Sequence, residues 1–225
     1  MKKLFFIPLL LGALMVSCAK EELPPVDQFA GLGDNDGFPA VTNVQIPSYV
    51  QIVSSIYGGN PEYRLPANFN KRDLNRSLTP NKSGDADWTS YGTGTYVELF
   101  VKILSADGLP HTWNIPAGTV FCDSTKHYQH GFIIQDIQVQ IPASDTAFVI
   151  FNAYCLNAAR SSSDKFANYQ LLGKTQNQQL LEMVQLLTGK QPTFSTGEIQ
   201  SIIWSITEYN GTLTDDQRDY LNGLP

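Results

Sequence analysis

Cysteine, histidine and paired carboxylates are the side chains in this chain whose types and spacing bear on chemistry. Tyr154-Cys155-Leu156-Asn157 closes a nearly continuous apolar run that begins at Ala147. Cys122 ends a shorter apolar run from Thr119, and Cys18 stands apart at the end of a leader. In an oxidising compartment Cys122 and Cys155 first suggest a disulfide that would staple two strands. A buried, inert thiol packed as a small hydrophobe is the other plain fate for Cys155. His127 and His130 are three apart, a spacing that in a strand or turn points them to opposite faces, and His111 is isolated, so no metal centre is expected. Asp34-Asn35-Asp36-Gly37 opens like a calcium loop but lacks the carboxylate at loop position twelve, which leaves a turn. Asp85 and Asp87 fall in a solvated stretch, and Asp215-Asp216 favour a helix N-terminus over a catalytic pair. There is no G-x-S-x-G elbow and no phosphate-cradling loop. The chain is therefore expected to make contacts, with no catalytic residues, no turnover and no cofactor.

A second segment, Ile199-Gln200-Ser201-Ile202-Ile203-Trp204, places Gln200 45 residues after Cys155. The two segments together resemble the thioester domains of bacterial surface adhesins. Those carry a Y-C-x-N type segment at a strand end and a T-Q-x-A-[IV]-W type segment on a helix, within a sandwich plus helical subdomain. The likeness runs from about residue 154 to 208. It departs from the family at Ile199, where Thr is usual, at Ile202, where Ala is usual, and in the shorter separation of the segments. It implies that the Cys155 sulfur attacks the Gln200 side-chain carbonyl and expels ammonia, giving an internal thioester that acylates a partner amine. Tyr154 and Trp204 would then shield the bond from water, since apolar cover suppresses hydrolysis. The otherwise plain reading of Gln200 is a surface glutamine on a helix flank.

These residues need elements to hold them. Val97, Leu99, Val101 and Ile103 alternate with Tyr96, Glu98, Phe100 and Lys102, the period of a strand with one buried face. Asp107-Gly108 makes a turn, 119–122 a short strand, and Ile133, Ile137, Val139 and Ile141 one face of the next. The 147–153 run reads as a central strand. Tyr63, Phe69, Trp88 and Tyr91 suit the cap of a core, with a sugar-stacking platform as the alternative. After Tyr154 three capping boxes announce helices: Thr175 with Gln178, Ser195 with Glu198, and Thr214 with Gln217. Leu180, Leu181, Val184 and Leu187 mark the buried stripe of the first, and Ile199, Ile202, Ile203 and Ile206 that of the second. Gln200 and Trp204 are four apart and share a face rotated from that stripe. Strands followed by helices predict an α+β fold: an antiparallel β-sandwich with a small C-terminal helical subdomain. The expected organisation is 1–17 leader, 18–47 tether, 48–153 sandwich and 154–225 helical subdomain packed on it.

The leader supplies an address. Lys2 and Lys3 precede 13 apolar-type residues, Leu4 to Val16, and then Ser17-Cys18. That run is too short to cross about 30 Å of hydrocarbon as a helix. It is similar to the signal of bacterial lipoproteins, which implies cleavage before Cys18 and acylation (palmitate among the chains) of that cysteine, with several chains giving a stable hold on the bilayer. Ala19-Lys20-Glu21-Glu22 resembles an export signal to the outer leaflet of a Gram-negative outer membrane. Removing residues 1–17 leaves 13 basic against 21 acidic side chains, a net charge of −8. With no basic stripe, nucleic acid is not an expected partner. The sequence reading is thus a lipid-anchored, surface-exposed protein with an adhesin-like role toward an unknown surface protein or glycan. Its alternative is a non-covalent glycan- or protein-binding accessory lipoprotein with no reactive bond.

Overall fold

Alternation builds the longest strands. In the computed structural model, which describes residues 27–59, 88–190 and 196–225, Val97, Leu99, Val101 and Ile103 are all buried along one face of β5 (Val97–Ser105). Before it come β1 (Val41–Thr42), β2 (Val50–Ile52), β3 (Ile56–Gly58) and β4 (Trp88–Tyr91). After it come β6 (His111–Ile115), β7 (Thr119–Asp123), β8 (Gly131–Phe132), β9 (Ile137–Ile141), β10 (Ala147–Cys155) and β11 (Asn168–Thr175). Three helices end the chain: α1 (Gln178–Leu186), α2 (Thr196–Thr207) and α3 (Asp215–Gly223).

The expected sandwich is not what these strands make. β5, β3, β11, β7, β8 and β10 pair in that order, each antiparallel to the next, and β10 returns to β5 with a seven-residue register from Ala147↔Ile103 to Ala153↔Val97. The sheet closes on itself as a six-stranded barrel. β2 extends beside β5, β4 runs parallel to β10, and β1 lies on β11, all outside the ring. β6 and β9 form a separate two-stranded sheet. Closure removes the ring's free edges, which two stacked sheets would have kept. Two features produced the wrong expectation. β3 and β8, the pieces that bridge the ring, are only three and two residues long. β11 lies beyond Tyr154, where the sequence points to helices; its pairing with β7 shifts at a bulge between Leu171 and Gly173, which breaks the strand period.

Two apolar cores follow from the pleat. Val149, Phe151, Ala153 and Cys155 of β10 join Phe121 of β7, the inner residues of β5 and the buried faces of β6 and β9 in the first. Tyr154 and Leu156, on the opposite face, join Val120, Phe132 and the buried stripes of the three helices in the second. Ile199, Ile202, Ile203 and Ile206 are all buried as their spacing predicts. Trp88 meets Phe100 and Phe148 edge-on, each at 5.3 Å, and Tyr91 packs on the first core, so both pack against other aromatic and apolar side chains. The first helix begins later than expected: its N-cap is Asn177, whose side chain accepts from the main chain of Gln179 and Leu180, while Thr175 is the buried end of β11. Thr214 and Gln217 do form the capping box of α3. Cys18 and its leader, Tyr63, Phe69, Asp85, Asp87 and Ser195 lie outside the described residues. Among the described residues no helix is long and apolar enough to cross a membrane.

Candidate functional site

β10 outruns its neighbour. Its last partner on β5 is Ala153, opposite Val97, yet the strand continues through Tyr154 and Cys155, which pair with Phe132 and Gly131 of β8 on the other side. The β5-side hydrogen-bonding groups of Cys155 would thus be left open, a costly state inside a protein. Gln200 fills the vacancy. The Cys155 N–H donates to Gln200 Oε1 at 2.8 Å, and Gln200 Nε2 donates to the Cys155 carbonyl at 2.7 Å. Both residues are 0 % exposed. The carboxamide takes the place that a further β5 residue would occupy in an antiparallel hydrogen-bonded pair. α2, packed against β10, carries it there from the helix face next to the isoleucine stripe.

The sulfur has its own surroundings. The Asn157 N–H donates to Cys155 Sγ at 3.2 Å. Burial pushes the thiol up to about 11, partly offset by that main-chain donor and by the Trp204 indole N–H. Trp204 Nε1 is itself buried with no hydrogen bond of normal geometry. Its ring packs on the first core beside Cys155 and meets Tyr96 edge-on at 5.3 Å. Tyr96 is 36 % exposed, so this corner lies near the surface. Tyr154, named with Trp204 as a shield, lies on the other face of the strand. It is buried in the helical core, with its hydroxyl 3.3 Å from Thr93 Oγ1, so it roofs the strand and does not cover the sulfur directly.

Asn157 anchors the strand exit. Its side-chain amide donates to the carbonyls of Gly31 and Gly33, and its oxygen accepts from the His130 N–H. The segment before β5 also belongs to the site. Gly94 N–H donates to the Asn152 carbonyl, and a Cβ on Gly94 would overlap the main chain of Ala153 and Tyr154. Thr196 at the start of α2 donates to the Thr93 carbonyl. Sequence reading missed Thr93, Gly94 and Tyr96. The small-residue run Gly92-Thr93-Gly94 is the available signal of a close backbone crossing.

The alternative Cys122–Cys155 disulfide is not formed: both thiols are free and buried. β8 lies between their strands, and Cys122 alternates with inward Phe121 so that it faces away from the first core. Two strand spacings, about 10 Å, exceed what a disulfide spans. Cys122 Sγ instead sits 3.3 Å from His130 Nε2. His130 Nδ1 accepts from the Asp123 N–H, and the Arg160 guanidinium lies 2.7 Å from Nε2. Burial, then the Arg160 charge, pulls the imidazole down to about 3, while burial raises Cys122 to about 12. Both groups are neutral at pH 7, so the pair is no activated thiolate–imidazolium nucleophile. His127, by contrast, is exposed and meets Ser161. Among the described residues no three His, Cys, Asp or Glu side chains are grouped to hold a metal ion. No family model, no curated protein and no solved structure matches the chain.

Proposed function

We propose that this is a lipid-anchored surface protein with an adhesin-like role, in which Cys155 and Gln200 form an internal thioester that bonds covalently to a partner amine. The observation that carries the proposal is the seating of the Gln200 carboxamide on the Cys155 main chain by two hydrogen bonds of 2.8 and 2.7 Å. Those bonds set the carboxamide in the plane of the ladder. A strand side chain rises out of that plane, the direction from which a nucleophile adds to a carbonyl. The Cys155 N–H polarises Oε1 and would stabilise charge developing on it, and the second bond holds the nitrogen that must leave. Bond formation balances simply: Sγ joins the Gln200 carbonyl carbon, the C–N bond breaks, and the thiol proton leaves with the nitrogen as ammonia. Full burial of both residues serves the product, because a thioester persists only where water is kept out.

The address comes from Cys18, acylated after leader cleavage, which would hold the protein on the outer membrane of a Gram-negative cell with the barrel facing outward. The partner is a surface protein or glycan that offers an amine.

Intact mass tests the reading. The purified protein should weigh one ammonia less than its mature, acylated chain, and methylamine should add its whole mass at Gln200, leaving the opened protein one CH2 heavier than the unreacted chain. Full mass with two titratable thiols would overturn it. That outcome leaves the non-covalent alternative, which rests on exposed aromatics such as Phe166 and Tyr209, 69 % and 83 % exposed.

A further inference from the structure

A thioester opens only if its sulfur can leave. When an amine nitrogen bonds to the Gln200 carbonyl carbon, the carbon–sulfur bond breaks and its electron pair goes to sulfur. The amine's surplus proton passes to sulfur or to solvent. In a dry interior a bare thiolate is costly, and burial already holds the Cys155 thiol at about 11. Rapid opening therefore needs donors fixed at the sulfur in advance.

Two such donors are in place. The main-chain N–H of Asn157 reaches Sγ at 3.2 Å. The Trp204 indole N–H is buried with no hydrogen-bond partner, on a ring packed against the core that holds Cys155, and it is among the groups that lower the Cys155 thiol. A buried N–H left without a partner costs about 1–3 kcal/mol, a cost that suggests a use. Its position is tied to the reacting group, because Trp204 follows Gln200 by one helical turn on the same face of α2. The ring is also the partly exposed edge of the first core at this corner.

We infer that the Trp204 indole N–H and the Asn157 main-chain N–H together form a hole that receives the sulfur's electron pair when an amine opens the Cys155–Gln200 bond. Trp204 thereby sets the rate of covalent capture. The claim rests on the thioester reading for its purpose, and the contact between donor and sulfur can be tested without it.

The test compares the wild-type protein with Trp204→Phe, which keeps a ring and removes the N–H. The ammonia deficit in intact mass should persist in the variant, while opening by methylamine slows about tenfold, the loss of one good hydrogen bond in the transition state. In protein whose Cys155 is free, through methylamine treatment or because no bond forms, the pH at which iodoacetamide alkylates Cys155 should rise by about one unit in the variant. Peptide mapping separates Cys155 from Cys122. If the variant does not fold, wild-type NMR decides. The Trp204 indole resonance should shift as Cys155 titrates and as the bond opens, while that of Trp113, whose Nε1 is also buried and unbonded, stays fixed. Unchanged opening rate and alkylation profile, or a Trp204 resonance that ignores the sulfur, would overturn the inference. A wild type of full mass whose Trp204 signal still follows Cys155 would sink the thioester and leave the donor pair standing.

Discussion

At the scale of single residues, Cys155 and Gln200 carry separable burdens, and substitution should expose the difference. Gln200 satisfies the main chain of Cys155, whereas the sulfur accepts from the Asn157 N–H and lies near the Trp204 indole, and neither contact holds the strand in place as the carboxamide does. Measured by urea unfolding against the methylamine-opened protein, Cys155→Ala should cost about 1 kcal/mol, the price of a small buried side chain. Gln200→Ala should cost about 2–5 kcal/mol, because a buried N–H and a buried carbonyl lose their partners together. Both variants should show full sequence mass. Equal costs for the two substitutions would mean that the carboxamide is not a main-chain partner in solution. The residue types here were legible: a cysteine ending an apolar strand and a glutamine beside a helix's isoleucine stripe. The bidentate seating was not, because it exists only where β5 stops two residues short of the end of β10, and no local pattern encodes that difference in length.

The elements around the pair meet through small residues and short strands. Gly94 crosses the main chain of Ala153 and Tyr154 so closely that a Cβ would collide with backbone atoms, which cannot swing aside as a flexible side chain does. Gly94→Ala should therefore lift the 92–96 segment from β10, costing about 1–3 kcal/mol in a denaturation titration. It should also loosen the Tyr96–Trp204 contact. The proposed thioester should then hydrolyse faster, read as loss of the ammonia deficit during storage at neutral pH. A variant with wild-type stability and an intact deficit would show that the crossing does not seal the site. The long elements were readable because a single period runs through them: β5 and β9 by alternation, α2 by its isoleucines. What escaped is the closure. A two-residue β8 has no period to read, and β11 changes register at Gly173, so the sequence suggests two sheets where the chain makes one ring.

Across the whole molecule, the barrel wall, the strand exit and the 31–35 turn are locked together around His130. Its ring nitrogens face the Asp123 N–H and Arg160, and its main chain bonds Asn157 and Leu156. Arg160 reaches on to the Asn35 carbonyl, and Asn157 to Gly31 and Gly33. Cys122, Asp123, Arg160 and Lys126 are the titratable groups that bear on the ring. Because burial and Arg160 hold this imidazole at about 3 against an ordinary value of 6.5, the unfolded chain binds the extra proton over that interval and the folded chain does not. The stability tied to neutral His130 is complete above pH 6.5 and is lost as pH falls toward 3, at up to about 1.4 kcal/mol per pH unit. Most carboxylates titrate below about pH 4.5; burial raises that of Glu208, which works in the opposite direction as pH falls, so the histidine's share of the 6.5 to 4.5 stretch is read as the difference between wild type and a His130 variant. Urea midpoints should fall steadily over that stretch in the wild type. In His130→Asn they should start lower at pH 7 and stay nearly level to pH 4.5. A wild type whose midpoint runs parallel to the variant's from 6.5 to 4.5 would mean that His130 is solvated or protonated in the native state, and the junction that anchors Asn157 beneath the Cys155 sulfur would be looser than its geometry implies.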